Sequence, residues 1–138
     1  MTARMPCRTK TLAVLVAVLA AAVLAGPAHA ATFTVDSLPD QGDQFAGDGV
    51  CDTDNYGCTL RAAVDEANAF AGADTIVVPA GTYDLFGAVS PATDMQITGA
   101  SPRTTVVNQA GTDRVFNIAP GRGPSPTVGI SGVTLSSG

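Results

Sequence analysis

Residues 51–70 read CDTDNYGCTLRAAVDEANAF: two cysteines enclose a short Asp-rich loop, and an apolar periodicity begins directly after the second cysteine. The apolar residues recur at the three- and four-residue spacing of one helical face, and Gly72 stands where a helix would end. This pattern predicts an amphipathic helix of about three turns over Leu60–Phe70. Thr59 is the predicted N-cap, because its hydroxyl can accept a hydrogen bond from a backbone N–H of the first turn.

The first thirty residues have the order of a secretory signal peptide. A positively charged segment ends at Lys10, residues 12–24 form an unbroken apolar stretch, and small residues precede position 31. We therefore expect cleavage after Ala30 and a secreted protein, either extracellular or at the cell surface. A membrane anchor is the alternative, but a membrane span needs about 20 apolar residues and this run is shorter.

Removal of residues 1–30 changes the charge and the residue types that are available for function in the mature chain. It leaves four arginines against all 12 acidic residues, so we expect neither nucleic acid nor anionic lipid as a partner. It also removes the single histidine and the lysine, and this excludes His-based triads, His metal sites and Schiff-base lysines. No transmembrane span is expected in the mature chain.

Cys51 and Cys58 are the two cysteines that remain after this cleavage. In an oxidising compartment an even pair predicts a disulfide, and two ligands are too few for a zinc site. Closing so short a loop stabilises the folded state by roughly 2–3 kcal/mol.

The mature chain is long enough for one domain. We divide it into an N-terminal cap over residues 31–74 and a strand-rich part over residues 75–138. The cap begins with a strand over Thr32–Val35, and its Asp- and Gly-rich stretch 36–57 is expected to be ordered mainly by the disulfide. Further strands are predicted at Thr75–Val78, Thr82–Phe86, Met95–Thr98, Thr104–Asn108, Arg114–Ile118, Thr127–Ile130 and Val133–Leu135.

Two mainly β architectures fit this pattern: an antiparallel sandwich, and a solenoid in which each coil stacks on the one before. Apolar residues recur at intervals of about 20 residues, which is typical of solenoid coils; they are Ile76, Ile97, Phe116 and Val133. A sandwich also places strands about 8–12 residues apart, so the spacing leaves both architectures open.

The segment from Phe33 to Tyr83 resembles the CSLREA domain. The matching residues are VCD at 50–52, CTLRAAV at 58–64, EANA at 66–69, ADTI at 73–76 and PAGTY at 79–83. Looser likenesses to successive coils follow at 97–100, 114–116 and 130–135. Ala62 replaces the Glu of the domain's signature, and this removes the reciprocal half of a capping box.

The resemblance implies the start of a right-handed parallel β-helix of the pectin-lyase-like kind in a secreted bacterial protein. The first coil of such a solenoid exposes an apolar end that must be covered, and the predicted helix has the apolar stripe to cover it. The sequence ends directly after the last predicted strand. We therefore expect a truncated piece of a longer protein, or an open last coil that self-associates or is covered by another chain.

No catalytic or cofactor-binding residue is predicted. Aspartates crowd the N-terminal loop at Asp40, Asp43, Asp48, Asp52 and Asp54. Asp48, Asp52 and Asp54 are candidate calcium ligands, since Ca²⁺ prefers such oxygen donors. An EF-hand loop beginning at Asp52 would have Tyr56 at its fifth position and Ala63 at its twelfth, so a solvated acidic loop is favoured.

Other carboxylates do not form a recognisable pair. Asp65 and Glu66 are neighbours whose side chains point about 100° apart on a helix, which indicates the helix surface. Asp84, Asp94 and Asp113 show no spacing that would bring two of them together as a glycosidase requires.

These features predict an exported structural or surface-interaction module without activity of its own, with an extracellular polysaccharide or a cell-surface protein as its partner. One alternative is the N-terminal part of a polysaccharide lyase or glycoside hydrolase of pectin-lyase-like fold. Another is a small β-sandwich binding module. Among the aromatic residues, Tyr56 is expected at the surface, whereas Phe45 and Phe86 are expected in the core or cap.

Overall fold

The computed structural model describes residues 29–118 and 125–137. Residues 1–28, which hold most of the predicted signal peptide, lie outside this range, so the cleavage after Ala30 stays a prediction. The described elements are β1 (Thr32–Thr34), α1 (Leu60–Ala69), β2 (Asp74–Val78), β3 (Gly81–Leu85), β4 (Met95–Gly99), β5 (Thr105–Gln109), β6 (Val128–Ser131) and β7 (Thr134–Ser137). No helix among these residues is long and apolar enough to cross a membrane.

The strands form two sheets, with the orders β1-β2-β4-β6 and β3-β5-β7. Every pairing between these described strands is parallel. A mainly β fold with little helix is therefore confirmed, and the antiparallel sandwich is wrong in its strand direction. We refer to the two sheets together as the strand stack.

Equivalent positions of successive strands lie in register and form rows of apolar side chains. Phe33, Ile76, Ile97 and Ile130 make one such row, and its two central members are fully buried. β-branched side chains fit this pleated surface because they pack well against neighbours in the same row. Inward residues alternate with exposed ones along β4, as expected for strands with one buried face.

The predicted repeat of about 20 residues is correct from Ile76 to Ile97 and wrong from Ile97 to Phe116. Ile76 and Ile97 are aligned partners, but the next member of the row is Ile130. Phe116 instead pairs with Val89 at a single parallel position. The predicted strand Arg114–Ile118 is thus reduced to one pairing, and the two backbone–backbone hydrogen bonds that support it both involve Val89.

The helix begins where the sequence indicates and ends one residue earlier, at Ala69. Thr59 is its N-cap, and the Thr59 hydroxyl accepts a hydrogen bond from the Ala62 N–H at 3.1 Å. The apolar face of α1 joins the core beside β1 and β2. At the end of the helix, the Phe70 ring meets the Phe33 ring edge-on with centroids 6.1 Å apart, a favourable geometry for an aromatic pair.

Candidate functional site

Glu66 is buried beneath the loop that precedes the helix. Its two carboxylate oxygens accept hydrogen bonds from the backbone N–H groups of Gly47 and Gly49, each at 2.5 Å. These glycines have φ angles of 101° and 89°, a backbone conformation that other residues adopt only at a cost. The prediction that Glu66 lies on the helix surface is wrong, because the loop folds back over this turn of α1.

Asp65 and Asp43 continue this set of contacts between side chains and backbone. Asp65 accepts a hydrogen bond from the Asp43 N–H at 3.3 Å, and Asp43 accepts from the Phe45 and Asp52 N–H groups. Burial raises the pKa of the Asp65 carboxyl above its ordinary value, and the Asp43 N–H and the Arg61 charge oppose part of that rise. These carboxylates act as acceptors for a loop that has few strand or helix hydrogen bonds of its own.

Arg61 and Asp40 form a bidentate ion pair at the junction of loop, helix and strand stack. The Nε–Oδ1 distance is 2.6 Å and the Nη2–Oδ2 distance is 3.0 Å. Arg61 also donates to the carbonyl oxygens of Gly87 and Ala88, while Asp40 accepts from the Phe86 N–H. Arg61 thus pairs with an aspartate 21 residues earlier in the chain.

The predicted disulfide between Cys51 and Cys58 is confirmed, with an S–S distance of 2.01 Å and a Cα–Cα distance of 5.0 Å. The Cys58 N–H donates to Asp36 at 2.9 Å, and the Thr59 hydroxyl donates to the Gln41 carbonyl at 2.5 Å. The disulfide is therefore one of several contacts that hold the loop in place. That the disulfide contributes most to the order of the loop, as the sequence predicts, stays a prediction.

The calcium candidates Asp48, Asp52 and Asp54 do not form a coordination site. Among residues 29–118 and 125–137, no three His, Cys, Asp or Glu side chains converge in a way that could hold a metal ion. Asp48 instead accepts a hydrogen bond from the N–H of Val50, two residues later. This is the local turn contact that Asp often makes.

A shallow pocket of about 130 Å³ opens on the outside of the loop, and we call it the cap pocket. Its lining residues are Asp43, Gln44, Phe45, Asp48, Val50 and Asp52. The side chains of Phe45 and Val50 are 66% and 59% exposed. Phe45 therefore lies in the cap but at its surface, whereas the prediction that Phe86 is a core or cap residue is wrong, since Phe86 is 75% exposed. The exposed Phe45 and Val50 place an apolar surface next to acidic groups.

A second pocket, of about 240 Å³, lies at the start of β2 and β4, and we call it the strand-start pocket. It is lined by Ala73, Asp74, Asp94, Met95, Gln96 and Thr127. Asp74 accepts a hydrogen bond from the Ala31 N–H at 2.8 Å, and Asp94 accepts from the Thr127 N–H at 2.7 Å. Asp74, the first residue of β2, and Asp94, just before β4, thus each accept a hydrogen bond from the residue that precedes a neighbouring strand.

The outward carboxylates do not pair with one another. Asp84 on β3 is aligned with Asn108 on β5, whose amide donates to it at 2.8 Å. Asp113 accepts hydrogen bonds from the Arg114 and Ala88 N–H groups, which lower its pKa below the ordinary value. The position next to Asp84 on the adjacent described strand therefore carries an amide, not the second carboxylate that glycoside hydrolysis requires.

Most of the described acidic side chains that have hydrogen-bond partners accept from backbone N–H groups, while Asp84 accepts from a side-chain amide. They are spread over the loop, the helix, the strands and their connections. The resemblance to the CSLREA domain stays a prediction made from the residues. No family model, curated protein or solved structure matches this chain.

Proposed function

We propose that this chain is an exported structural module without catalytic activity of its own. In this proposal its strands form the first coils of a right-handed parallel β-helix, and its N-terminal cap offers a contact surface to an extracellular polysaccharide. The observation that carries the proposal is that charged side chains of the cap have hydrogen-bond partners within the protein. Glu66, Arg61 and Asp40 are engaged with backbone groups or with each other, so these three charged side chains serve the structure and none of them is a free acid or base.

The order of the strands supports the solenoid. The chain visits the first sheet at β2, the second at β3 and then a third position at Val89, and it repeats this order with β4, β5 and Phe116. It returns to both sheets with β6 and β7. In a β-helix, each coil passes through the same sheets in the same order, and successive coils are parallel.

The position of the helix supports its role as a cap. Leu60, Val64 and Ala67 are buried in the same core as Phe33 and Ile76, on the side of the first sheet where β1 and β2 lie. A terminal coil exposes apolar surface unless another element covers it. The apolar stripe of α1 provides that cover.

The cap pocket supports the choice of polysaccharide as partner. Phe45 and Val50 offer apolar surface to the C–H face of a sugar ring, while Asp43 and Asp48 offer oxygens to its hydroxyl groups. The excess of acidic over basic residues in the chain disfavours an acidic polymer, because like charges repel. A neutral polysaccharide is therefore the preferred class. A cell-surface protein is the alternative partner.

Affinity electrophoresis of the mature chain tests this contact surface. We expect soluble neutral xylan or mixed-linkage glucan in the gel to retard the chain, and polygalacturonate not to retard it. A double substitution Phe45→Ala and Val50→Ala should abolish the retardation. Phe86→Ala is the matched control, since it removes an aromatic side chain outside the pocket that is 75% exposed, and it should leave the retardation unchanged.

The same mixtures test the absence of catalysis. Reducing ends and the absorbance of unsaturated uronides should not increase over many hours of incubation. Product formation that disappears on Asp84→Asn or Asp94→Asn, both at exposed positions, would establish the lyase or hydrolase alternative instead. Equal retardation of the double variant and the wild type would remove the cap pocket from the proposal.

A further inference from the structure

Asp74 is a carboxylate in an apolar row. It occupies an inward position of β2, aligned with Met95 on β4, and only 1% of it is exposed. One of its oxygens, Oδ1, accepts the hydrogen bond from the Ala31 N–H at 2.8 Å. The other, Oδ2, is the one buried side-chain polar atom of the described residues that has no hydrogen-bond partner. Such an oxygen is costly to bury, because it loses water and gains nothing in return.

Ala31 is held against Asp74 at both of its backbone groups. Its carbonyl oxygen accepts a hydrogen bond from the Thr75 N–H at 2.9 Å, in line with the pairing of β1 on β2. The two residues before it, His29 and Ala30, are exposed. In the uncut chain the Ala31 nitrogen is an amide with a single hydrogen, and that hydrogen is already used by Oδ1.

We propose that removal of the signal peptide after Ala30 completes this site, because the Ala31 nitrogen becomes an ammonium group that forms a buried ion pair with Asp74. An ammonium carries three hydrogens, so one can stay on Oδ1 while another reaches Oδ2. The inference rests on the proposed export and on cleavage at that bond. It gives the unpaired oxygen of Asp74 a partner that the uncut chain cannot supply.

The chemistry of the step is an ordinary peptide hydrolysis by a signal peptidase on the unfolded chain. The C–N bond between Ala30 and Ala31 breaks, and the hydroxyl of one water joins the Ala30 carbonyl carbon. The Ala31 nitrogen takes up two protons, one from that water and one from the new carboxylic acid. The products are a carboxylate on the leader and an ammonium on the mature chain.

Asp94 also lines the strand-start pocket and adds negative charge near this ammonium. Its Oδ1 already accepts a hydrogen bond from the Thr127 N–H, so Asp74 is the direct partner. The pair fastens β1, an edge strand of only three residues, to β2. The mature protein is then more stable than its precursor, and this difference favours an unfolded precursor during export.

The sequence provides a clean way to test the pair. Residues 31–138 contain no lysine, so an amine-specific acetylating reagent modifies only the α-amino group of the mature chain. Acetylation in denaturant followed by refolding yields a protein of identical sequence whose Ala31 nitrogen is again an amide. Four samples form a thermodynamic cycle: free and acetylated amine, each with Asp74 and with Asp74→Asn.

We expect acetylation to lower Tm by about 4–8 °C when Asp74 is present, and to change it little in Asp74→Asn. The control Asp94→Asn should keep the full difference. A second measurement does not depend on refolding: the amine of the folded wild type should react with the reagent several times more slowly than that of Asp74→Asn. Equal Tm losses in both backgrounds, or equal reaction rates, would overturn the ion pair.

Two further outcomes separate this inference from its assumptions. If millimolar Ca²⁺ restores the Tm of the acetylated chain, a metal ion and not the ammonium is the partner of Oδ2, and the inference is overturned. Mass spectrometry of the chain exported by a bacterial host should find Ala31 at the N-terminus. A chain that retains its leader would refute the proposed export, whereas a cleaved chain that begins elsewhere would refute only the ion pair.

Discussion

The strand stack and the N-terminal cap are stabilised in different ways. In the stack, inward rows such as Ile76 and Ile97 are apolar, and the backbone groups are satisfied by parallel neighbours. In the cap, the loop over residues 36–57 has little regular structure, and its backbone N–H groups find side-chain carboxylates at Glu66 and Asp43. A repeating backbone supplies its own acceptors, whereas an irregular loop must obtain them from side chains.

Substitutions in the strand stack and in the cap should therefore destabilise the protein through different interactions. A change in the stack removes apolar contacts and leaves a cavity, so its cost depends on the volume lost. Removal of a carboxylate in the cap leaves loop N–H groups without their side-chain acceptors, so its cost depends on hydrogen bonds. The two regions should therefore respond to different chemistry, even though α1 joins both.

The largest effect is expected in the centre of the stack. Ile97→Ala should lower the free energy of unfolding by about 2–5 kcal/mol, because a fully buried side chain leaves a cavity. Thr98→Ala, at the exposed neighbouring position of the same strand, should change it by less than about 0.5 kcal/mol. Urea unfolding measures both. Similar losses in the two variants would contradict the parallel rows described above.

Glu66→Ala should follow, with a loss of about 2–4 kcal/mol from two hydrogen bonds to a charged acceptor. The exposed Asp54 provides a control of like charge, and Asp54→Ala should be nearly neutral. Hydrogen exchange sharpens the comparison: the amides of Gly47 and Gly49 should lose protection, while those of β4 keep theirs. Loss of protection in both places would show that cap and stack unfold as one unit.

Removal of the disulfide is expected to cost less. Replacing both Cys51 and Cys58 by Ser should lower the free energy of unfolding by about 2–3 kcal/mol, since the unfolded chain gains freedom. The Arg61–Asp40 pair and Glu66 still fasten the loop, so its near-native exchange protection should persist in the absence of denaturant. Loss of exchange protection throughout the loop in this variant would show that the disulfide is the main contact that orders the loop.

The smallest effect concerns Asp65 and depends on pH. Because burial raises its pKa in the folded state, the ionised carboxyl opposes folding above that pKa, and the penalty disappears as pH falls below the ordinary value of 3.8. Asp65→Asn keeps an acceptor for the Asp43 N–H and should be slightly more stable than the wild type at pH 7. That gain should vanish toward pH 3.5. A gain independent of pH would contradict the electrostatic cause.

Local signals predicted the helix and most strands well. Thr59 and the apolar face from Leu60 onward specify a helix start through contacts within a few residues, and the structure places the start there. Alternating β-branched residues located β2 and β4 for the same reason. The row beyond Ile97 was missed because the connections between strands differ in length, and spacing alone cannot register strands across unequal loops.

Glu66 was the main residue of the cap that sequence reasoning missed. A signal was present: Glu66 lies three and four residues after Ala63 and Ala62, on the buried side of the helical face. A carboxylate on that face needs donors, and Gly47 and Gly49 lie in a loop that needs acceptors. The donors and the acceptor match in number, but neither segment of the sequence indicates that Glu66 and these glycines are neighbours in the fold.

The residues alone were enough to establish the disulfide pair, the helix with its N-cap and a β-rich remainder, because each depends on cysteine number, on capping chemistry or on local periodicity. Folding brought together groups far apart in the chain: Arg61 with Asp40, Glu66 with two loop glycines, and Ala31 with Asp74. Hydrogen bonds act over a few ångströms of space, whatever the separation along the chain, and so partners of this kind are found only once the backbone path is known.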